Sequence, residues 1–207
     1  MGDRVTPAAA QSPGDAPRLS AVIFDLDGTL VDSRLDFGAM RRELGAPPGI
    51  GLLEYIDDLP TKAERDAARA IVHRHEMNGA HAATWMPGAE EVLHALCGSG
   101  ALTAIVTRNS REAAALTMQR LGMPAIPLKA REDAAPKPDP EALLALAGEW
   151  GLEPAGCAYV GDFSYDIEAA ERAGMLPVLY AGSADTAPEG YKRVRILRDF
   201  REILTWV

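Results

Sequence analysis

The chain has 207 residues and a formal net charge of −9, with 47% hydrophobic and 25% charged residues. That length fits one large domain, alone or with a small insertion, and the composition is that of a globular protein rather than a fibre or a disordered chain. The acidic balance argues against a nucleic-acid binder, because nonspecific affinity for phosphate backbones comes from clustered Lys and Arg. The negative charge of the chain would repel a small anionic substrate unless cations lie near its binding site. We therefore predict a locally basic site.

Residues 1–18 are rich in Ala, Pro, Gly and polar side chains, and they contain no apolar run long enough for a signal peptide or a membrane span. We interpret them as a disordered leader. Cys97 and Cys157 are too few for a disulfide framework and too far apart for a CxxC motif, which favours core residues in a reducing compartment. We therefore expect a cytoplasmic protein without a membrane partner, and the sequence leaves the oligomeric state open.

The segment 21–33, AVIFDLDGTLVDS, contains the first group of candidate functional residues. Residues 21–24 are apolar, which predicts a buried strand whose carboxyl end carries Asp25 and Asp27. Gly28 permits a turn directly afterwards, so both carboxylates are crowded at the edge where parallel sheets bind ligands. Such a pair needs a proton or a cation, and Mg2+ prefers oxygen ligands. The alternative is a strand followed by an ordinary polar turn.

Residues 34–84 have helical character and no convincing strand. The APPG break at 46–49 and Pro60 divide them into about three helices, and Thr61 followed by Glu64 indicates an N-cap. We expect a small all-helical cap domain that emerges beside Asp25 and Asp27 and acts as a lid. Six basic side chains of this segment are candidates for recognising the organic part of a substrate, against the alternative of solvated surface charges. They are Arg34, Arg41, Arg42, His73, His75 and His81.

From residue 85 onward, helices alternate with apolar strands. Strands are predicted at 102–109, 157–163 and 176–182, with an ambiguous short strand at 125–129 and a last one at 194–199. Helices are predicted at 88–100, 110–122, 140–151, 164–174 and 200–207. This alternation predicts an α/β, Rossmann-like fold with a parallel sheet between two helical layers. Residues 19–33 and 85–207 would form this discontinuous catalytic core, interrupted by the helical segment.

Polar groups also follow later strands of the predicted sheet. Thr107 lies in AIVTRN, Lys137 in APKPDP, and Asp162 and Asp166 in YVGDFSYD. Each alone can be explained as a strand end, a proline-rich turn or a common loop pair. Because the carboxyl ends of parallel strands meet at one edge, the ordered set predicts an active site there.

The motifs DLDGTLVDS, TRN, KPDP and GDFSYD, in this order, resemble the haloacid dehalogenase-like hydrolase superfamily. Within it the chain is similar to the phosphoglycolate phosphatase-like branch with a small helical cap after the first motif, over residues 19–207. The resemblance implies a Mg2+-dependent phosphatase that hydrolyses a small phosphate monoester through an aspartyl-phosphate intermediate. A phosphomutase of the same fold and a non-catalytic binding or regulatory protein are the alternatives. A dehalogenase is disfavoured, because Asp27 and Asp162 suit phosphoryl transfer.

The resemblance implies roles for four residues of the first three motifs. Asp25 would be the nucleophile, and Asp27 would be the general acid and base whose backbone carbonyl also binds the metal. Thr107 would hydrogen-bond the phosphoryl oxygens, and Lys137 would neutralise charge on the phosphate and on Asp25.

The remaining candidates come from the fourth motif and from the two residues after Thr107. The resemblance implies that Asp162 completes the metal site with Asp25 and Asp27, and that Asp166 orients Lys137 or a metal-bound water. Arg108 and Asn109 directly follow Thr107 in the sequence and are candidates for contact with the phosphate or an acidic group of the substrate, against the alternative that Arg108 is a solvated surface charge. The short insertion leaves an open mouth, which predicts a small phosphorylated metabolite as the partner.

Overall fold

The structure is a computed structural model that describes residues 18–182 and 194–207, so that residues 1–17 of the predicted leader lie outside the described residues. The strands are β1 Ala21–Phe24, β2 Val31–Asp32, β3 Thr84–Trp85, β4 Leu102–Val106, β5 Leu128–Lys129, β6 Cys157–Gly161, β7 Leu176–Tyr180 and β8 Arg195–Leu197. The α-helices are α1 Phe37–Leu44, α2 Leu52–Asp57, α3 Lys62–Ala82, α4 Ala89–Ser99, α5 Arg111–Arg120, α6 Glu141–Trp150 and α7 Ser164–Ala173. Short 3-10 helices cover Pro154–Gly156 and Phe200–Thr205.

Six parallel strands form the main sheet, in the order β5-β4-β1-β6-β7-β8. β1 lies inside it, with Phe24 aligned with Ile105 of β4 and with Val160 of β6. The uninterrupted apolar sequence of β1 suits this place, because a strand of a parallel sheet is buried on both faces. The predicted Rossmann-like α/β fold is confirmed.

Side chains that alternate along β1 enter two separate cores. Val22 and Phe24 pack in the core that contains α4 and the C-terminal 3-10 helix. Ala21 and Ile23 pack in the core that contains α6 and α7. The sheet is therefore covered on both faces, and the three layers hold the carboxyl ends of its strands at one edge.

The helices α1, α2 and α3 lie between β2 and β3, in the segment predicted to be helical. Ile56, Ala68 and Val72 form a small hydrophobic core of their own there. The predicted N-cap of α3 is present: Thr61 Oγ1 accepts from the Glu64 backbone N–H, and the Glu64 carboxylate accepts from the Thr61 N–H. This reciprocal pair satisfies two N–H groups at the start of the helix.

A short ribbon at the ends of the helical segment differs from the prediction. β2 and β3 pair antiparallel, with Val31 opposite Trp85 and Asp32 opposite Thr84. The prediction that residues 34–84 contain no strand is therefore wrong at Thr84. Strands of two residues are too short to produce an alternating hydrophobic pattern, so the sequence did not reveal them. The ribbon holds the two ends of the helical segment side by side.

The C-terminal helix also differs in type from the one predicted at 200–207. It is a 3-10 helix, in which three residues make one turn. Phe200, Ile203 and Trp206 recur at this spacing, and all three are buried against the sheet. The spacing of three places them on one face in 3-10 geometry, which explains the tighter winding.

The prediction that both cysteines are core residues holds for one of them. Cys157 is buried in β6 as predicted, whereas Cys97 of α4 is only partly buried and contacts the hydroxyl of Thr103. Both are free thiols. Within residues 18–182 and 194–207, no helix has the length and apolar character needed to cross a bilayer.

A buried ion pair joins the helical segment to the sheet. Glu76 of α3 is 5% exposed and accepts two hydrogen bonds from Arg131, which follows β5, at 2.7 and 3.1 Å. The same carboxylate accepts from the backbone N–H of Ser110, just before α5, at 3.3 Å. A two-point contact between guanidinium and carboxylate fixes orientation as well as distance. The pair therefore sets how α3 lies against the sheet.

We expect Glu76→Gln to lower the free energy of unfolding by about 2 kcal/mol, because it leaves the Arg131 guanidinium without its carboxylate in a largely buried place. Glu43→Gln is the matched control, since Glu43 links α1 to Arg74 and His75 of α3 on the surface. Its melting temperature should stay near that of the parent. Thermal unfolding by circular dichroism measures both, and equal losses would contradict the role of burial.

Candidate active site

A cavity of about 600 Å³ lies between the helical segment and the carboxyl ends of β1, β4 and β6. Asp25 follows β1, Thr107 follows β4 and Asp162 follows β6, and all three line this cavity. Asp27, Arg108, Asn109, Lys137 and Asp166 line it as well. The structure thus brings together the motif residues that lie far apart in the sequence.

The Lys137 ammonium group lies at the centre of a buried network. Its Nζ donates to Asp25 Oδ1 at 2.7 Å and to Asp166 Oδ1 at 2.6 Å, and the lysine side chain is 6% exposed. Burial lowers the pKa of Lys137, but the carboxylates of Asp166 and Asp25 outweigh this effect and raise the pKa above its ordinary value. Lys137 therefore stays charged and joins β1 to α7.

Tyr159 of β6 completes this network and was not predicted from the sequence. Its hydroxyl accepts from Lys137 Nζ at 2.8 Å and lies 2.9 Å from the Val106 carbonyl oxygen and 3.1 Å from Asp166 Oδ1. The single hydroxyl proton serves one of those two acceptors at a time. In the apolar stretch CAYVG a tyrosine is typical of a core residue, so its sequence gave no signal of this role.

Asp27 lies beside the network but has different partners. Its Oδ2 accepts from Asn109 Nδ2 at 2.9 Å, while Oδ1 is buried without a hydrogen-bond partner among the described residues. Burial raises the pKa of Asp27, and the neighbouring Ser33 and Asn109 side chains offset only part of that effect. Asn109, which lines the cavity, therefore contacts this carboxylate. Asp27 therefore binds a proton more tightly than an exposed aspartate does.

Gly28 shapes the turn that places these carboxylates. Its φ of +84° lies in the left-handed region that favours glycine. A Cβ atom at this position would overlap the carboxylate of Asp162. Gly28 therefore permits both the sharp turn after Asp27 and the close approach of the loop after β6.

Three carboxylates, those of Asp25, Asp162 and Asp166, each have an oxygen within 4.8 Å of the others. Burial raises the pKa of Asp25 well above its ordinary value, and the charges of Asp166 and Asp162 add to this effect while Lys137 opposes it. Burial, followed by the charge of Asp166, raises the pKa of Asp162 to about 6. One ammonium group does not neutralise three carboxylates, so the cluster has the charge and the oxygen atoms that suit a divalent cation.

Arg108 lines the cavity, but its guanidinium is already engaged. It donates to the Lys137 carbonyl oxygen at 2.7 Å and to Glu54 Oε1 of α2 at 2.6 Å. It also lies over the ring of Tyr165, 4.6 Å from the ring centre. Within residues 18–182 and 194–207, the Arg108–Glu54 and Arg131–Glu76 pairs are the two ion pairs between the helical segment and the sheet loops that line the cavity. Neither Glu54 nor Glu76 was a candidate from the sequence, since neither belongs to a recognisable motif.

Of the six basic candidates in the helical segment, Arg41 lines the cavity. Arg34 and Arg42 are exposed and lie 3.9 Å from Asp32 and Asp36 respectively. The three histidines do not line it either: His73 lies near Ser110 and Glu112, His75 contacts Glu43, and His81 is exposed. The structure therefore separates Arg41 from the other five.

The charge of the cavity corrects one prediction from the sequence. Acidic side chains slightly outnumber basic ones among the described lining residues, so the expectation of a locally basic site is wrong. The acids are Asp25, Asp27, Asp162, Asp166 and Glu76, and the bases are Arg41, Arg108, Arg131 and Lys137. An anionic substrate bound here needs a further positive charge.

Comparison with known proteins gives a consistent result. A family model for haloacid dehalogenase-like hydrolases matches residues 19–174. A haloacid dehalogenase-like hydrolase domain-containing protein of Arabidopsis thaliana is 30% identical over 197 residues, covering 89% of this chain and 80% of the relative. A phosphoglycolate phosphatase of Xylella fastidiosa is 33% identical, with 74% of this chain and 76% of the relative covered.

A third relative and a solved structure extend the comparison. An N-acetylmuramic acid 6-phosphate phosphatase of Pseudomonas aeruginosa is 29% identical, covering 76% of this chain and 79% of the relative. A crystal structure of a hydrolase from Pseudomonas syringae is similar with a TM-score of 0.69 and 25% identity, covering 90% of this chain and 96% of that one. The likeness extends over both the sheet and the helical segment.

The raised pKa of Asp162 leads to a prediction about metal-free protein. A carboxyl group with a pKa of about 6 in the folded state and an ordinary value near 3.8 binds a proton more tightly when folded. Its contribution to stability is therefore present at low pH and lost as the pH rises from about 4 to about 6. We expect Asp162→Asn to become more stable than the parent across this window, by about 1 kcal/mol after allowance for solvent screening.

Thermal unfolding in the presence of a chelator at pH 4.5 and pH 7.5 measures this difference. Asp58→Asn is the control, because it removes a negative charge from an exposed site outside the cavity. Adding Mg2+ at pH 7.5 should raise the melting temperature of the parent and of the control more than that of Asp162→Asn. A stability difference that does not change with pH would contradict the prediction.

Proposed function

The chain belongs to the haloacid dehalogenase-like hydrolases, and from this we propose that it is a Mg2+-dependent phosphatase of small phosphate monoesters that forms an aspartyl-phosphate intermediate. The observation that carries the proposal is the Lys137 ammonium group between Asp25 and Asp166, with Asp27 beside them. Relatives named for phosphoglycolate and for N-acetylmuramic acid 6-phosphate support a small monoester as the substrate. Residues 34–84 would serve as the cap over the cavity.

Asp25 is the proposed nucleophile. Its carboxylate attacks the phosphorus atom, a new bond forms between the aspartate oxygen and phosphorus, and the bond from phosphorus to the leaving oxygen breaks. Lys137 holds Asp25 Oδ1 at 2.7 Å, which fixes the direction of the carboxylate and offsets repulsion between it and the phosphate. Because Asp166 and Tyr159 hold Lys137 from the other side, the nucleophile is oriented before substrate binds.

Asp27 is the proposed general acid and base. Burial raises its pKa, so the carboxyl can carry a proton and give it to the leaving oxygen. The resulting carboxylate then takes a proton from the water that attacks phosphorus and releases inorganic phosphate. Asn109 Nδ2 holds Oδ2 of Asp27, which fixes the orientation of the carboxyl group for this transfer.

Thr107 is the proposed phosphate ligand. It is 6% exposed, lines the cavity and accepts a hydrogen bond from the backbone N–H of Asn109 at 3.1 Å. With its oxygen accepting that bond, the hydroxyl proton is free to be donated to a phosphoryl oxygen. Arg108 would support the site through Glu54 and the Lys137 carbonyl rather than through the phosphate itself.

The residues present fit Mg2+. Asp25 and Asp162, with the backbone carbonyl of Asp27, would hold the ion, because both oxygens of Asp166 are already engaged by Lys137, Tyr159 and the Phe163 N–H. When bound, the ion supplies positive charge that lets Asp25 stay ionised close to the phosphate. Asp166 is then a positioning residue for Lys137.

Asp25→Asn should reduce kcat for 4-nitrophenyl phosphate with Mg2+ by at least about 1000-fold, because an amide does not act as the nucleophile. Asp139→Asn is the control, since this exposed aspartate of the KPDP loop does not line the cavity. It should retain parent activity. Phosphate release measures both, and parent-like turnover by Asp25→Asn would exclude the proposed nucleophile.

Asp27→Asn should behave differently with the same ester. The 4-nitrophenolate group leaves without a proton, so formation of the aspartyl phosphate survives while its hydrolysis, which needs a base, becomes slow. We expect a rapid burst of about one 4-nitrophenolate per enzyme followed by a slow steady state. Stopped-flow absorbance measures the burst. Steady turnover at the parent rate without a burst would contradict the assignment of Asp27 as the base.

A further inference from the structure

The cavity wall formed by the helical segment is mainly apolar. Its described side chains include Leu35, Phe37, Met40, Ile50, Leu53 and Val72, and the charged ones are Arg41 and Glu76. In the proposed function, the phosphate would occupy the ends of the strands beside Asp25 and Lys137, so the leaving group would extend towards this wall. The charged side chains of this wall therefore influence which leaving groups bind in the cavity.

Most cations that line the cavity are already neutralised. Lys137 contacts Asp25 and Asp166, Arg131 contacts Glu76, and Arg108 contacts Glu54. Each of these carboxylates lies within 2.8 Å of its partner. Because each of these three cations is already paired with a carboxylate, none of them provides an unpaired positive charge for a second anionic group.

Arg41 is the exception among the lining cations that the structure describes. Its Nη1 donates to the carbonyl oxygens of Pro47 and Ile50, at 2.5 and 2.8 Å. Carbonyl groups hold the guanidinium in place without cancelling its charge. The other two guanidinium nitrogens, Nη2 and Nε, have no hydrogen-bond or ion-pair partner within residues 18–182 and 194–207.

From this we infer that Arg41 binds an anionic group on the leaving group, so that the preferred substrates are phosphate monoesters of small acids. The inference rests on the proposed phosphatase function and names the substrate class of the same cavity. A guanidinium fixed in advance by two carbonyl groups loses little freedom when it binds a carboxylate, and it presents two parallel donors. Arg41 acts as a specificity residue and takes no part in the bond-breaking step.

Matched esters and variants test this inference. The esters are 2-phosphoglycolate against 2-hydroxyethyl phosphate, and 3-phosphoglycerate against glycerol 3-phosphate, in which an alcohol replaces the carboxylate. The enzymes are the parent, Arg41→Gln, Arg41→Lys and Arg42→Gln. Arg42 neighbours Arg41 on α1 but is exposed outside the cavity, so its variant removes an equal charge from the same helix. 4-Nitrophenyl phosphate reports the general activity of each enzyme.

We expect the parent to prefer the acid in at least one pair. Arg41→Gln should lower the kcat/KM ratio of acid to alcohol about 10- to 100-fold, since it removes a charged hydrogen bond. Arg41→Lys should restore part of that ratio, and Arg42→Gln should keep the parent value.

Two outcomes would overturn the inference in distinguishable ways. If Arg41→Gln lowers kcat/KM for acid and alcohol equally, Arg41 serves only to hold the loop at residues 47–50, and the phosphatase proposal stands. A parent enzyme that hydrolyses 4-nitrophenyl phosphate but favours the alcohol in both pairs likewise overturns the inference alone. A parent that hydrolyses no ester, with or without Mg2+, would overturn the phosphatase proposal and this inference together.

Discussion

The placement of one buried ammonium group among several carboxylates governs this site. Lys137 comes from a loop, whereas Asp25 follows β1 and Asp166 belongs to α7, so its two short contacts tie three parts of the chain at one point. A buried charge without its partner costs much free energy. Removing any one of these groups therefore destabilises the others. The same burial raises the pKa of Asp25 and of Asp27, but of the two it is Asp25 that accepts a hydrogen bond from Lys137, and this difference separates their proposed tasks.

Carboxylates outnumber cations among the described residues that line the cavity, and this affects both the sheet edge and the helical segment. On the sheet side, Asp25, Asp162 and Asp166 form a carboxylate cluster that suits a divalent cation. On the helical side, Glu54 and Glu76 occupy two arginines that would otherwise attract any anion. In the proposed function, a phosphate would therefore meet Lys137 and a second anion would meet Arg41.

The sequence predicted the strand ends well, because the apolar runs of β1, β4 and β6 are followed directly by polar groups. It predicted less where a role depends on contacts between distant segments. Tyr159 follows the pattern of a core residue, and its contacts with Lys137 and Asp166 distinguish it. Glu76 and Arg131 are 55 residues apart and belong to no motif, so their pairing required the packing of α3 on the sheet. The two-residue strands β2 and β3 were too short for any periodic signal.

The β2–β3 ribbon also has a consequence for how the chain folds. β1 and β4 are neighbours in the sheet, yet the whole helical segment separates them in sequence. Once Val31 pairs with Trp85, the chain that must close to bring β1 and β4 together is roughly threefold shorter. Since the entropy of loop closure grows with the logarithm of length, this lowers the cost of that step by about 1 kcal/mol. A ribbon of two residues on each side thus gives a non-local strand pair some of the kinetic advantage of a local one.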